Sequence, residues 1–298
     1  MPPHIALLVN PASGRRRAAV IAVRLKEALR AAGARVHVYT GRSAADSRRL
    51  ARLAAADRPD ALVAVGGDGL VHQALQGVVG TGVPLAVVPA GSGNDVARAF
   101  GVPRGSAHKT AQAILAGRTR PSDVVRLTTA DGSQRYYMSV LACGFDARVN
   151  ERFNNFRFSV GRAGYLVGLI AELRSFQPID FEIDIDDRSI AEPGMLVAVG
   201  NTSAYGGGMH VCAEAVPDDG LLDVVFVREG PIGRFLRVFP RVFNGSHLGL
   251  DEVVFERGRV VTIRGDAGTA YADGERTGPP RLVCEVVPKA VEMLELTS

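Results

Sequence analysis

Three glycine-rich stretches carry the residue types best suited to holding phosphate: Asn10-Pro11-Ala12-Ser13-Gly14, Gly66-Gly67-Asp68-Gly69 and Gly91-Ser92-Gly93-Asn94-Asp95. Glycine lets backbone amides approach an anion, and a helix that follows offers unpaired N–H groups. In the first stretch Pro11 fixes φ and Gly14 permits an unusual one. The second keeps one carboxylate, Asp68, for a metal ion or a hydroxyl. The third supplies a hydroxyl (Ser92), an amide (Asn94) and a carboxylate (Asp95) at a helix start. Singly, each stretch is also what a strand-to-helix turn needs, with Gly for the bend and Ser or Asp for the cap. Three of them at one sheet edge favour a nucleotide phosphate site. Two standard phosphate motifs are absent, Gly-x-x-x-x-Gly-Lys-Ser/Thr and Gly-x-Gly-x-x-Gly, which sets aside P-loop NTPases and ordinary dinucleotide folds. Far along the chain, Asp273-Gly274-Glu275 puts two carboxylates around a hairpin-type turn.

The elements around these stretches predict their placement. Apolar runs at 5–9, 36–39, 61–65 and 85–88 alternate with helical spacing at 21–29, 43–53, 70–79, 95–100 and 107–115. Ser43-Ala44-Ala45-Asp46 has the form of a capping box. Strand–helix alternation argues for an open, mostly parallel sheet, whose ligands bind beyond the carboxyl ends of its strands. After Pro121 short strands predominate, at 124–129, 135–142, 179–185, 195–199, 222–227, 260–263 and 282–287. They read as an antiparallel β domain with helical insertions at 165–176 and 232–243. The expected division is 1–123 for the nucleotide domain and 124–288 for the β domain, with 289–298 able to return to the first.

Composition bounds the function classes. The chain has 298 residues, 47% hydrophobic and 22% charged, close to the globular norm, which excludes wholesale disorder. Its longest apolar runs are far short of the roughly 20 residues of a membrane-spanning helix. The start, Met1-Pro2-Pro3-His4-Ile5, lacks the form of a signal peptide, so a cytoplasmic location is expected. Net charge is only +4, and with 6% aromatic residues and no Trp nothing suggests stacking on nucleic acid. Cys143, Cys212 and Cys284 are too far apart for a zinc site or disulfide framework and read as buried thiols.

The chain resembles the soluble diacylglycerol kinase family, with its bacterial lipid kinase and sphingosine kinase relatives. The resemblance rests on the first two stretches above, on Pro89-Ala90-Gly91-Ser92-Gly93-Asn94-Asp95, Asn201-Thr202-Ser203-Ala204-Tyr205-Gly206-Gly207-Gly208, Pro217-Asp218-Asp219-Gly220-Leu221-Leu222-Asp223 and Asp273-Gly274-Glu275. It implies an α/β fold of two domains, a Rossmann-like nucleotide domain and an antiparallel β-sandwich, with the active site in the cleft between them. It implies ATP as donor, Mg2+ and a lipid hydroxyl as acceptor. Asn10, Pro11, Ala12, Ser13, Gly14, Thr40, Gly66, Gly67, Asp68, Gly69, Leu70, Val71, His72 and Ser92 fall where the family holds ATP. Glu275 is the first choice for the base that takes the hydroxyl proton, and Asp273 the second. Asp68 and Asp95 would organise magnesium around the phosphates. A second, structural magnesium site is implied at the Asp219 carboxylate with the carbonyls of Val216 and Leu221. One departure stands out: the family commonly follows Gly-Gly-Asp-Gly with Thr-x-Asn-Glu, whereas this chain has Leu70-Val71-His72-Gln73.

The expected activity is therefore transfer of the γ-phosphoryl group of ATP to a lipid hydroxyl, with diacylglycerol to phosphatidate as the leading case, in phospholipid biosynthesis. Its substrate would be met peripherally at a membrane surface. Two segments mix Arg with Phe as such a surface requires, 152–158 and 232–243, although a helix burying its Phe face gives the same pattern. A homodimer through the β domain stays open. An NAD kinase shares Gly-Gly-Asp-Gly but needs an Asn-Glu pair after the sheet; Asn150-Glu151 sits in a segment the lipid kinase pattern already accounts for. A non-catalytic nucleotide- or lipid-binding regulator is the rival outside enzymes, supported by the altered 70–73 stretch.

Overall fold

The structure is a computed structural model that describes residues 1–14, 17–145, 147 and 177–296. The expected helix at 165–176, the Arg/Phe segment at 152–158 and the Asn150-Glu151 pair lie outside the described residues.

The N-terminal part is a four-stranded parallel sheet in the order β4-β3-β1-β2. Its strands are β1 (His4–Val9), β2 (Arg35–Thr40), β3 (Ala61–Gly66) and β4 (Leu85–Pro89). The helices between and after them are α1 (Arg17–Ala31), α2 (Ala44–Ala56), α3 (Asp68–Val78), α4 (Asp95–Ala99) and α5 (Ala107–Ala116). Period-two alternation sends Ile5, Leu7 and Val9 into one apolar cluster with α1 and α5, and Ala6 and Leu8 into another with α2 and α3. Both sheet faces are covered, as parallel sheets require, and each fully buried Leu contributes about 1.5–3 kcal/mol. Ser43 caps α2 by accepting from the Asp46 amide at 3.1 Å; the Asp46 carboxylate returns to Arg42 N rather than to the cap residue.

The β domain contains β6 (Gln134–Tyr137), β7 (Val140–Gly144), β8 (Ile179–Ile185), β9 (Arg188–Gly200), β10 (Leu222–Arg228), β11 (Val253–Gly258), β12 (Val260–Arg264), β13 (Ala270–Ala272) and β14 (Glu275–Gly278). A helix, α6 (Ile232–Arg241), packs Phe235 and Val238 on its apolar core. Cys143, Cys212 and Cys284 are buried thiols.

Two strands cross from one part to the other. β5 (Thr119–Thr128) and β15 (Arg281–Leu294) pair antiparallel from Thr119↔Leu294 to Thr128↔Val283. The expected boundary at 123/124 thus falls inside an unbroken strand. The end of β15 meets β4 at Met293↔Leu85, and Val291, Met293, Leu294 and Leu296 pack in the clusters of the parallel sheet. A bulge between Val287 and Val291 marks the crossing. There the fully buried Asp123 accepts from Lys289 N and from Gly220 N, both at 2.7 Å, while its own amide donates to Pro217 O. The 217–221 turn is thereby clamped to the point where the two parts join.

Candidate active site

The carboxyl ends of β1, β3 and β4 and the Asp273 turn of the β domain enclose one cleft of about 650 Å³. Ser13, Gly14, Gly67, Asp68, Gly69, Ser92, Gly93, Asp95, Asp273 and Glu275 line it, joined by Ser139, Tyr205, Gly207 and Met209 from across the cleft.

Close backbone packing builds the glycine-rich side of the cleft. A Cβ on Gly14, which sits at φ +58°, would lie 1.8 Å from Ala90 O, so the first and third loops meet only because this residue is glycine. A Cβ on Gly91 would lie 2.6 Å from Gly67 Cα, so the second and third loops touch backbone to backbone. Gly67, the N-cap of α3, brings no capping side chain. Leu70 N donates back to Gly67 O at 2.9 Å, which leaves the Asp68 and Gly69 amides at the helix start with no capping side chain, the arrangement that suits an anion. Gly14→Ala is expected to cost on the order of 2 kcal/mol or more through this clash and the left-handed φ, and to weaken ATP binding at least about tenfold. Thermal denaturation and nucleotide titration of the variant check both effects.

Asp68 and Asp95 converge near Gly93, whose Cβ would stand 2.8 Å from Asp68 Oδ2 and 3.5 Å from Asp95 Oδ2. Asp68 caps α4, accepting from Asn94 N at 2.7 Å and Val96 N at 3.2 Å. Burial and the Asp95 charge nonetheless raise its pKa above the ordinary carboxyl value. Two carboxylates this close together in a half-buried cleft suit a hard cation held by oxygen. Asp95 also accepts from Arg98, and its Oδ2 accepts from Gly207 N at 2.8 Å across the cleft. The Tyr205–Met209 loop reaches this contact through glycines of positive φ at 206, 207 and 208.

The Asp273 turn divides its two carboxylates between different tasks. Asp273 (φ +51°) and Gly274 (φ +79°) form a two-residue loop closed by Ala272↔Glu275, the backbone form that Asp-Gly pairs favour. Asp273 points inward with a side chain 1% exposed. It accepts from Ser139 N (2.7 Å), Ser139 Oγ (2.6 Å), Met138 N (3.1 Å) and His72 Nδ1 (3.0 Å). Burial works to raise its pKa, but the hydrogen bonds of His72 and Ser139 prevail and hold it below the ordinary value. An ionised carboxylate only accepts, so His72 Nδ1 carries the proton of that bond. Glu275 projects the other way, its Oε1 2.8 Å from where a Cβ of Gly69 would stand. It is half-buried and lies over the N-terminus of α3.

Several expected ligands lie elsewhere. Leu70 and Val71 turn into the α2–α3 cluster, because the apolar face of α3 needs them there; neither side chain lines the cleft. His72 is spent on Asp273. Asn94 closes its own loop, exchanging hydrogen bonds with Gly91 N (2.9 Å) and Gly91 O (2.8 Å). Asn10 likewise braces its loop by accepting from Ala12 N. Gly66 ends β3 against Leu70, and Pro11, Ala12 and the exposed Thr40 stand outside the cleft lining. At the 217–221 turn the exposed Asp219 accepts from Leu221 N at 3.0 Å, and Val216 is exposed. The charge of Asp219 reaches Asp223, whose buried Oδ2 has no hydrogen-bond partner among the described residues. Burial pushes Asp223 up to about 6 against the pull of Arg257. An unpaired acid oxygen beside a tight turn fits a hard cation, and Asp223 was not among the residues expected there.

Sequence reasoning also missed Arg48, whose Nε donates to Gln73 Oε1 at 3.0 Å and which feels the charge of Glu275. The Gln73 departure is thus a neutral partner for the Arg48 cation. Ser139 was missed as well. Its only signal is a polar residue between two strands, which many loops share.

The diacylglycerol kinase catalytic domain family matches residues 4–127, and the YegS C-terminal NAD kinase beta sandwich-like domain matches 139–295. A diacylglycerol kinase of Mycobacterium tuberculosis is 36% identical over 291 residues, covering 97% of this chain and 94% of its own. The chain belongs to the diacylglycerol kinase family of lipid kinases. A diacylglycerol kinase of Bacillus subtilis is 24% identical, covering 86% of this chain and 84% of its own. A crystal structure of a diacylglycerol kinase from Bacillus anthracis has the same fold, with a TM-score of 0.73 at 19% identity over 98% of this chain and 96% of that one. The two-domain α/β architecture with a C-terminal β-sandwich is that of the family. Among the described residues no helix is long and apolar enough to cross a membrane.

Proposed function

We infer that this lipid kinase transfers the γ-phosphoryl group of ATP to the hydroxyl of diacylglycerol, forming phosphatidate for phospholipid synthesis. The observation that carries this reading is a small apolar cavity, about 40 Å³, that shares lining residues with the cleft. Tyr205 and Met209 line both, and behind them lie Phe145, Val225, Phe235 and Val242. A glycine-rich cradle, a carboxylate and an apolar margin at one place suit a hydroxyl beside an apolar group; the cavity is too small for an acyl chain, which would lie outside it.

The loops at Ser13, Gly67 and Ser92 bind and orient the triphosphate through backbone amides. Phosphoryl transfer needs positioning and charge neutralisation more than covalent help. Asp68 and Asp95 would hold Mg2+, which supplies positive charge to the phosphate oxygens. Glu275 accepts the hydroxyl proton as the acceptor oxygen attacks in line. Asp273 acts as a positioning residue: it fixes the turn that aims Glu275 and ties that turn to α3 through His72. The turn at Asp219, with Asp223, would hold the second Mg2+ and stiffen the joint at Asp123.

Substrate would be taken from a membrane surface beside α6. Arg234, Arg237 and Arg241 are exposed there, together with Leu236 (38%) and Phe243 (54%). Phe235 instead packs edge-on against Phe145 at 4.8 Å, so the aromatic face is divided between core and surface.

Incubation with labelled ATP, Mg2+ and mixed micelles of diacylglycerol tests the reading, with NAD as acceptor in a parallel tube. Label in phosphatidate is the expected result. Label in NADP, or ATP binding with no transfer to diacylglycerol, overturns it.

A further inference from the structure

At the opposite end of the parallel sheet, three metal-ligating atoms meet. His4 opens β1, and His37 lies on β2. The register pairs His37 with Ala6, and Ala6 packs with α2. Period-two alternation therefore puts His4 and His37 on the α2 face of the sheet, two residues apart along it. Asp57 follows as the C-cap of α2. His4 Nε2 and His37 Nδ1 are 3.2 Å apart, and Asp57 Oδ2 is 3.5 Å from the first and 3.8 Å from the second.

We propose that His4 Nε2, His37 Nδ1 and Asp57 Oδ2 form a binding site for a first-row divalent cation of zinc type. A point about 2.0 Å from all three atoms exists within this triangle, the distance at which zinc takes imidazole nitrogen and carboxylate oxygen. Two imidazoles and one carboxylate select such a cation over Mg2+, which prefers oxygen alone. The ligands are held before any ion arrives. His4 is buried, and its amide donates to Asp60 Oδ2 at 2.7 Å. The two rings stand edge to face at 81°. His37 and Asp57 are half exposed, so water can reach the remaining coordination positions.

The surrounding field is divided. Arg35 opposes a cation, whereas Asp57 and Asp60 attract one. α2 ends here without a basic residue in its last turn, so its carbonyl end also favours positive charge. The site is remote from the phosphate loops, because the length of β1 separates them by about 17 Å. Its effect is mechanical: it ties the end of α2 to β2, which is an edge strand and, among the described residues, pairs with β1 alone. Without metal, the same atoms make a His–His hydrogen bond and close contacts to Asp57, which is the competing use of the cluster.

Calorimetric titration of the full chain with zinc chloride at pH 7.5 tests the site. With Mg2+ in large excess to occupy the carboxylate sites proposed above, the expected result is one tightly bound zinc per chain, with affinity reduced on the order of 100-fold in both His37→Ala and Asp57→Asn. Both positions are half exposed, so the variants keep the fold, which circular dichroism checks; the buried His4 is left intact. Zinc should raise the melting temperature of the parent protein and leave that of the variants unchanged. Cobalt should give visible d–d bands in the parent only. Undiminished zinc affinity in either variant, or no binding up to about 1 mM zinc, overturns the proposal. Kinase activity does not enter the readout, so the result is independent of the function proposed above.

Discussion

Glu275→Gln is expected to lower kcat by about 10²–10⁴-fold while leaving ATP affinity within a factor of about two. The amide keeps the size of the side chain and its contact over Gly69, and loses only the capacity to take a proton. An interaction that matters only as the hydroxyl attacks shows in kcat and kcat/KM together. Initial rates with diacylglycerol micelles, set beside nucleotide titration, separate the two effects. Retention of half the parent activity would remove Glu275 from the proposed base role. A matching loss of ATP affinity would instead make it a binding residue.

Asp273→Ala should have the largest effect on stability. Its carboxylate gathers the donors of Met138, Ser139 and His72 at a fully buried point. Removing one side of such a pair leaves the others unpaired, a loss of about 3–5 kcal/mol. His72 belongs to α3 and Ser139 to the β domain, so the damage falls on the joint between the two parts. Asp273→Asn keeps shape and one acceptor, and should cost less. The pH dependence has a definite sign. The folded pKa of Asp273 lies below its unfolded value. Its contribution is therefore present above the unfolded carboxyl pKa near 3.9 and lost as pH falls through the folded value. The parent should lose stability in acid more steeply than Asp273→Asn, which chemical denaturation at neutral and acidic pH will show. A shallow, pH-independent difference between them would mean that the carboxylate charge does not hold the joint.

Much of the nucleotide half was legible in the residues. Parallel strands buried on both faces are continuous apolar runs, so β1, β3 and β4 were visible as such. The loops that end them need glycine where backbones touch, and Gly14, Gly67 and Gly91 are close-packed in the structure for that reason. The β domain was less legible. β11, β13 and β14 were not among the expected strands; two are only three and four residues long, too short for alternation to register.

Within the site, the motif positions were visible but the directions of their side chains were not. Leu70 and Val71 follow Gly-Gly-Asp-Gly directly, yet helical periodicity turns them into the core. Asp273 and Glu275 are two residues apart, yet the positive-φ turn between them sends one into a buried network and the other over α3.

The residues by themselves determined the α/β framework, the three glycine-rich loops that end β1, β3 and β4, and the family, since each depends on local backbone needs and short motifs. Tertiary structure alone decided that β5 and β15 cross between the two parts, that Asp95 reaches Gly207, and that an apolar cavity opens behind Tyr205 and Met209. It also decided that His4, His37 and Asp57 meet. Each of these joins residues far apart in the chain, and pairing across such distances is set by how whole elements pack, which no local pattern encodes.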